Sequence, residues 1–195
     1  VSTRMILCDL RNVVAAVLAL TAVVNAQEVS LRPTHQTALN DVDARVEELK
    51  AVNKAIWEFA EVGLEERQSA DLLVSKLKTN GFKVEHGVSG MPTAFVASFG
   101  TGKPIIGILA EYDALPGMSQ KVDPERTPYK EGAAGHACGH SGLGTGALGA
   151  ALAVKAAMQK HEIKGTIRLY GTPAEETVIG KIYMLLDGQF DLIQP

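Results

Sequence analysis

The chain has 195 residues, of which 46% are hydrophobic and 21% are charged, and its formal net charge is -3. These proportions are typical of a globular protein and exclude a disordered or fibrous chain. Nucleic-acid partners and polybasic membrane contacts both need a basic surface, so the slightly acidic balance argues against either one.

An apolar run near the start of the chain predicts export. Residues 13–24 carry no charge and follow Arg4 and Arg11, which is the pattern of a signal peptide. The run of about 12 residues is shorter than the roughly 20 that span a bilayer. We therefore assign residues 1–26 to a signal peptide and expect a periplasmic or secreted protein without a stable membrane span. A buried core helix is the alternative interpretation of this run.

Two helices are predicted after a short polar stretch. Residues 27–39 show no sustained apolar period and are interpreted as a linker. From Asn40 or Asp41, either of which can cap a helix, apolar residues recur at intervals of three and four up to Phe59, which predicts the first helix. The second is predicted over residues 69–79, where the same spacing returns.

The rest of the chain alternates strands and helices. Strands are predicted over residues 82–88, 93–99 and 105–110, a long irregular loop over residues 114–135, a helix over residues 142–160 and a strand over residues 166–171. The run IIGILA at residues 105–110 has no polar alternation, which predicts a central strand covered on both faces. Helices that alternate with apolar strands favour an α/β/α sandwich.

A short segment between the long loop and the next helix indicates a metal site. Residues 135–140 read Gly-His-Ala-Cys-Gly-His, which places Cys138 close to His136 and His140. Thiolate and imidazole are ligands of zinc and related divalent ions, and the flanking glycines allow a tight turn. If Cys8 leaves with the signal peptide, Cys138 has no disulfide partner, which also favours a bound metal. A structural turn is the alternative for this motif alone.

Adjacent carboxylates form the second indication of a hydrolytic site. Glu175 and Glu176 follow the last predicted strand, as Glu111 and Asp113 follow an earlier apolar strand. Ligand sites of open α/β sheets lie at such strand ends, so these acids can share one sheet edge with the Cys/His segment. A hydrolytic metal site needs ligands and a carboxylate that takes a proton from the bound water, and two adjacent glutamates can divide those tasks.

Six motifs in chain order resemble one protein family. They are Trp57-Glu58-Phe59-Ala60-Glu61, Met91-Pro92-Thr93-Ala94-Phe95-Val96-Ala97, Ala110-Glu111-Tyr112-Asp113-Ala114-Leu115-Pro116-Gly117, Gly135-His136-Ala137-Cys138-Gly139-His140, Leu143-Gly144-Thr145-Gly146-Ala147 and Gly171-Thr172-Pro173-Ala174-Glu175-Glu176. Together they are similar to the metallo-aminoacylase and carboxypeptidase family. The resemblance is to its amidohydrolase branch, which contains p-aminobenzoyl-glutamate hydrolases and indole-acetyl-amino-acid hydrolases.

This resemblance implies an α/β/α sandwich of the zinc-dependent exopeptidase type with two divalent metal ions. It implies that Cys138, His140 and Glu176 are metal ligands and that the catalytic residues are Glu175, as general base, and Asp113, which would orient a ligand imidazole. Zinc or manganese is the expected metal, and cobalt and nickel also suit such ligands. The implied substrates are N-acyl or N-aroyl amino acids and small dipeptide-like amides.

The resemblance also implies features that this sequence does not contain. The family has further histidine ligands downstream and an inserted domain that mediates dimerisation, and neither precedes Pro195. We therefore interpret residues 40–195 as the N-terminal part of a truncated catalytic domain and expect this fragment to be inactive. The full-length parent is expected to be a homo-oligomeric amidohydrolase. A non-catalytic module that binds metal or ligand is the alternative.

Overall fold

The computed structural model describes residues 31–191, so the predicted signal peptide lies outside the described residues. The helices are α1 (Pro33–Ala44), α2 (Val46–Phe59), α3 (Arg67–Thr79), α4 (His140–Lys160) and α5 (Gly180–Leu186), and the strands are β1 (Lys83–His86), β2 (Phe95–Thr101), β3 (Ile105–Ala110) and β4 (Gly165–Gly171). The order of these elements confirms the predicted α/β class.

The first helix begins earlier than the sequence predicted. We expected a linker over residues 27–39 and a helix start at Asn40 or Asp41, whereas α1 already begins at Pro33. Proline suits the first turn of a helix, because the hydrogen-bond donor that it lacks has no intrahelical partner there. The expectation of irregular structure over residues 33–39 is therefore wrong. It failed because α1 buries no residue, so no apolar period marks the helix in the sequence.

The four strands form one mixed sheet in the order β1-β2-β4-β3. β2 runs antiparallel to both β1 and β4, and β3 runs parallel to β4. The parallel register begins with Ile105 opposite Thr166 and ends with Ala110 opposite Gly171. Both strands therefore end at the same edge of the sheet, and the segments that follow them leave from neighbouring points.

β3 is not the central strand that its apolar run predicted. Among the described residues it pairs only with β4 and so lies at the edge of the sheet. Ile106 and Leu109 are 54% and 49% exposed, while Ile108 packs against the main core. An uninterrupted apolar run indicates burial of both faces but carries no information about strand order, which explains the difference.

Helices cover both faces of the sheet to different extents. On one face α2, α3 and α4 contribute Ile56, Leu73 and Leu148 to a core that also contains Phe95 and Leu169 of the sheet, and all five side chains are at most 1% exposed. On the other face a smaller cluster joins Met184 of α5 to Val96 and Tyr170. The predicted α/β/α layering is therefore present, with the thicker helical layer on one side.

No helix within residues 31–191 combines the length and the apolar character that crossing a membrane requires.

Candidate metal centre

The parallel register of β3 and β4 brings two acidic segments together. The amide of Thr172 donates to the carbonyl of Ala110 over 2.8 Å, so the chain continues side by side for one residue beyond the strands. Glu111 follows directly on one side, and Glu175 and Glu176 follow shortly after on the other. The shared edge that the sequence predicted for these acids is therefore observed.

The long loop after β3 returns the chain to this edge. Leu115 and Gly135 exchange two backbone hydrogen bonds of 3.0 Å, which closes the loop at its base. Gly139 then adopts a φ of 91° immediately before α4, a left-handed conformation that favours glycine. Gly144 lets α4 approach the end of β3, because a Cβ atom there would lie 2.7 Å from the carbonyl oxygen of Glu111. The first residue of α4, His140, is thereby placed over the strand ends.

His140 is the buried centre of the cluster. Its side chain is 2% exposed and its Nδ1 lies 2.9 Å from Oδ1 of Asp113, a residue that is 1% exposed. Because a carboxylate accepts this bond, Nδ1 carries the hydrogen, and in a neutral imidazole Nε2 then offers a lone pair. The other oxygen of Asp113 accepts the amide hydrogen of Glu176 over 2.8 Å. One buried carboxylate thus orients both His140 and the backbone of Glu176.

Three side chains offer donor atoms to one point in space. The sulfur of Cys138, an imidazole nitrogen of His140 and a carboxylate oxygen of Glu176 all lie within 4.8 Å of one another. This separation is close to what a shared ion requires, given zinc bonds of about 2.0–2.3 Å to such atoms. Sulfur, nitrogen and oxygen donors together suit zinc and related divalent ions.

The surroundings of these donors also fit a cation. Three carboxylates face Nε2 of His140, at 3.1 Å from Glu111, 3.7 Å from Glu176 and 3.9 Å from Glu175. Oε1 of Glu176 is buried and has no hydrogen-bond partner among the described residues. An unpartnered buried carboxylate oxygen is destabilising, and a bound cation would satisfy it.

Without an ion, Cys138 is held as a thiol. Its hydrogen bond to the carboxylate of Glu176 is the largest cause of a raised pKa, and desolvation and the charges of Glu175 and Glu111 add to it. Metal ligation by cysteine requires the thiolate, so an ion that binds here must displace this proton. Proton release on metal binding is the ordinary consequence.

The predicted site residues converge in space. Cys138, His140 and Glu176 form the cluster, Asp113 lies behind His140, and Glu175 lies at the rim with its side chain 37% exposed. The roles assigned to these residues remain predictions. His136 stands apart, since its Nε2 bonds to the carbonyl of Ile56 over 3.0 Å and burial lowers its pKa.

Two charged residues of the cluster were not among the predicted site residues. Glu111 contacts Nε2 of His140 and also forms a short ion pair with Lys181 of α5. The position of Glu111 at a strand end was the signal that could have included it. No signal in the sequence identified Lys181, because the helix that carries it was not predicted.

A cavity of about 850 Å³ opens beside the Cys/His segment. It lies between the end of α2 and the long loop, and its wall includes His136, Trp57 and Tyr129. The rings of Trp57 and Tyr129 meet edge to face with centroids 5.6 Å apart. The Nζ atom of Lys121 lies 5.8 Å from the centre of the Tyr129 ring. The wall therefore combines flat aromatic surface with a positive charge.

The sheet and the donor cluster together define an α/β domain of the metal-dependent hydrolase class. Residues 107–193 match the model described as Peptidase family M20/M25/M40. This stretch of the chain belongs to that family, which confirms the resemblance inferred from the motifs.

Relatives with assigned activities are similar to the same part of the chain. A p-aminobenzoyl-glutamate hydrolase from Escherichia coli is 47% identical over 137 residues, which cover 70% of this chain and 28% of that protein. The hippurate hydrolase of Campylobacter jejuni is 33% identical over 146 residues, which cover 74% of this chain and 36% of that protein. The chain therefore spans well under half the length of these relatives.

A solved structure shares the fold. A dinuclear metal binding peptidase of the M20 family from Bacillus subtilis superposes with a TM-score of 0.65 and 25% identity, covering 77% of this chain and 41% of that one. A putative aminohydrolase from methicillin-resistant Staphylococcus aureus gives a TM-score of 0.68 at 23% identity, with coverage of 81% and 40%.

Proposed function

We propose that the protein containing these residues hydrolyses the amide bond of N-acyl or N-aroyl amino acids, or of small dipeptide-like amides, with the help of divalent metal ions. The observation that carries this proposal is the convergence of Cys138, His140 and Glu176 within 4.8 Å, from two separate segments of the chain. The similarity to a p-aminobenzoyl-glutamate hydrolase and a hippurate hydrolase supports the substrate class.

Cys138, His140 and Glu176 would hold the metal. The Bacillus subtilis neighbour is described as dinuclear, which supports two ions, and the exposed sulfur of Cys138 could be shared between them. Bound divalent ions polarise a carbonyl group and lower the pKa of a coordinated water. We propose zinc or manganese as the metal, since this mixed donor set suits several divalent ions.

Glu175 and Asp113 would perform the two supporting tasks. Glu175 combines a partly exposed side chain with an oxygen 3.9 Å from Nε2 of His140, so it can reach both a substrate and the cluster. We assign it the general base, which takes a proton from the attacking water and can pass it to the leaving nitrogen. Asp113 contacts no solvent-facing group, so its task is to fix the tautomer and direction of His140.

The cavity beside the Cys/His segment supports an aromatic acyl group. Trp57 and Tyr129 supply flat apolar surface and Lys121 a positive charge, which together suit a planar ring that carries a carboxylate. We propose that the acyl portion of the substrate enters this cavity while its amide lies over the metal ligands.

Export and assembly complete the proposal. The uncharged run at residues 13–24 after Arg4 and Arg11 supports a periplasmic or secreted protein. We propose a homo-oligomer for the full-length parent.

Metal content and turnover together test the proposal. The purified 195-residue chain is loaded with zinc or manganese, its bound ions are counted, and hydrolysis of hippurate and of p-aminobenzoyl-glutamate is measured for this chain and for a longer chain of the same protein. Glu175→Gln should keep the ions and lower turnover by a factor of about 100 or more. Glu65→Gln, at an exposed neighbour of Arg67, is the matched control.

The outcomes separate the enzyme from its alternative. Turnover by the longer chain that depends on Glu175 supports the amidohydrolase. Tight metal binding without turnover in either chain supports the metal-binding module instead. A chain that binds no divalent ion at all contradicts both.

A further inference from the structure

Glu66 is a buried carboxylate outside the donor cluster. It immediately precedes α3 and its side chain is fully buried, at 0% exposure. Its two oxygens accept hydrogen bonds from the amide of Ala174 at 2.8 Å and from the hydroxyl of Thr93 at 2.9 Å. Among the described residues no lysine or arginine forms an ion pair with it. A buried carboxylate that lacks a cationic partner is a costly feature, so its hydrogen bonds call for an explanation.

The partner amide belongs to the turn that carries the glutamate pair. Ala174 directly precedes Glu175 and Glu176 and has a φ of 59°, a left-handed conformation that disfavours residues other than glycine. Its carbonyl oxygen accepts the amides of Val178 and Ile179 at 3.1 and 2.7 Å. Ala174 is therefore the pivot of a tight, strained turn, and such a conformation persists only where neighbouring groups enforce it.

The segment before α3 packs directly on this turn. A Cβ atom on Gly63 would lie 2.1 Å from Oγ1 of Thr177 and 2.9 Å from Cβ of Ala174, which shows that the two backbones are in close contact. Glu66 reaches from this segment to the amide of Ala174. Pro173 has no amide hydrogen, so the Ala174 amide is the first donor after β4 and Thr172 that a carboxylate can hold.

The same carboxylate is linked to the end of β3. Thr93 donates its hydroxyl to Glu66, and its carbonyl accepts the hydroxyl of Tyr112 at 2.7 Å. Tyr112 is fully buried and directly precedes Asp113. The chain of bonds therefore joins both strand ends from which the ligands and their supporting carboxylate leave.

We propose that Glu66 is a positioning residue of the metal centre, which holds the left-handed turn at Ala174 so that Glu175 and Glu176 face His140. Glu66 acts through the turn and touches neither the donors nor a substrate. The proposal rests on the proposed function, because it assumes that Glu176 is a metal ligand. The geometric part, that Glu66 holds the Ala174 amide, stands without the metal.

Glu61 provides a matched control. Its carboxylate accepts the amides of Gln68 and Ser69 at 3.0 and 2.9 Å, so it also stabilises the start of α3. It forms no hydrogen bond to the turn at Ala174. A variant at Glu61 therefore reproduces the loss of a carboxylate near α3 without releasing the glutamate pair.

Two measurements test the proposal on the full chain. Amide hydrogen exchange at Ala174 is followed in the metal-free protein, and zinc affinity is measured by competition with a chromophoric chelator. Glu66→Ala should accelerate exchange at Ala174 and weaken zinc binding about tenfold or more, the size of effect that outer ligand supports produce. Glu66→Gln keeps an oxygen for the amide and should restore both. Glu61→Ala should leave both close to the unsubstituted values.

Each result decides one of the two ideas. Unchanged exchange at Ala174 in Glu66→Ala overturns the positioning role whatever the zinc result. Equal losses of zinc affinity in Glu61→Ala and Glu66→Ala overturn it as well, since general destabilisation would then be the cause. If the unsubstituted chain binds no zinc, the proposed metal centre fails, while the exchange data still report on the turn. If Glu66→Ala does not fold, Glu66→Asp takes its place, because the shortened carboxylate stays charged but withdraws from the amide.

Discussion

Asp113 and His140 are joined by a hydrogen bond of 2.9 Å in which both partners are almost wholly buried. A buried carboxylate behind an imidazole fixes which nitrogen carries the hydrogen and points the other nitrogen outward. The two residues are 27 positions apart, so the long loop after β3 must fold back correctly for this pair to form. The pair links the folding of that loop to the geometry of the donors.

Replacement of Asp113 should weaken metal binding rather than abolish the fold. We expect Asp113→Asn to lower zinc affinity about 10- to 100-fold, because an amide can present its nitrogen to Nδ1 and favour the wrong tautomer. Competition with a chromophoric chelator measures the change. Asp43→Asn, at an exposed position of α1, should bind zinc as tightly as the unsubstituted chain. Equal affinity in both variants would contradict the role of Asp113.

Cys138 should become protected from alkylation when metal is bound. The free thiol is exposed and its pKa is raised by the hydrogen bond to Glu176, so it reacts slowly at neutral pH and faster as the pH rises. A bound ion occupies the sulfur and should suppress the reaction at both pH values. Peptide mass spectrometry after iodoacetamide treatment identifies this cysteine specifically. Labelling of Cys138 that is the same with and without saturating zinc would exclude it as a ligand.

Two glycines of α4 offer a test of the contact between this helix and β3. Gly144→Ala places a Cβ atom 2.7 Å from the carbonyl oxygen of Glu111, and we expect a loss of about 1–3 kcal/mol in the free energy of unfolding. Gly146→Ala meets nothing within 4 Å and should gain up to about 1 kcal/mol from helix propensity. Urea denaturation compares the two variants. Equal effects would show that α4 does not approach β3 as closely as described.

The buried carboxylate of Glu66 should give the protein a characteristic pH dependence. Burial raises the pKa of Glu66 above its ordinary value of 4.5, so the folded protein holds this proton more tightly than the unfolded chain. The resulting stabilisation is complete below the unfolded pKa and is lost as the pH rises through the folded pKa. Glutamine cannot ionise, so Glu66→Gln should lose less stability than the unsubstituted chain over that range.

Chemical denaturation at a series of pH values checks this expectation. Glu85→Gln, which removes an exposed carboxylate in β1, serves as the control and should follow the unsubstituted profile. Parallel profiles for Glu66→Gln and the control would show that Glu66 does not resist ionisation in the folded protein.

The single tryptophan of the chain should report binding in the cavity. Because Trp57 lines the cavity beside Tyr129, benzoate should change its fluorescence, and cyclohexanecarboxylate and benzamide should do so more weakly because each lacks one of the two recognised features. Tyr129→Leu should weaken benzoate binding severalfold, since an aromatic pair contributes about 0.5–1.5 kcal/mol.

Lys121→Gln should have a comparable effect on benzoate and little effect on benzamide, because only benzoate carries a charge. Lys83→Gln, whose side chain is 83% exposed in β1, is the matched control. If all three compounds titrate alike in every variant, the cavity does not select for an aromatic anion.

Local patterns predicted much of the fold, but not the arrangement of its strands. The helix that contains Leu73 and the strands around Phe95 and Leu169 follow from apolar spacing and turn residues. The start of α1 could not be predicted, because that helix buries nothing. The edge position of β3 depends on pairing between distant segments, which a local apolar run does not encode.

The same distinction applies to the candidate site. Cys138, His140 and Glu176 were identified because their residue types and spacing are unusual for a surface. Glu66 was not identified, because it stands between Glu65 and Arg67 and such a charged run is typical of a solvated helix start. Its burial depends on a turn that lies 108 residues further along the chain, a relationship that only the folded structure reveals.

The parallel pairing of β3 and β4 makes strand length itself a determinant of the chemistry. Side chains alternate between the two faces along a strand, so one extra residue in either strand would turn every following side chain of that strand to the opposite face. Glu111 would then point away from His140 although its identity and its neighbours were unchanged. The spacing between the end of each strand and its acids is therefore as constrained as the acids themselves.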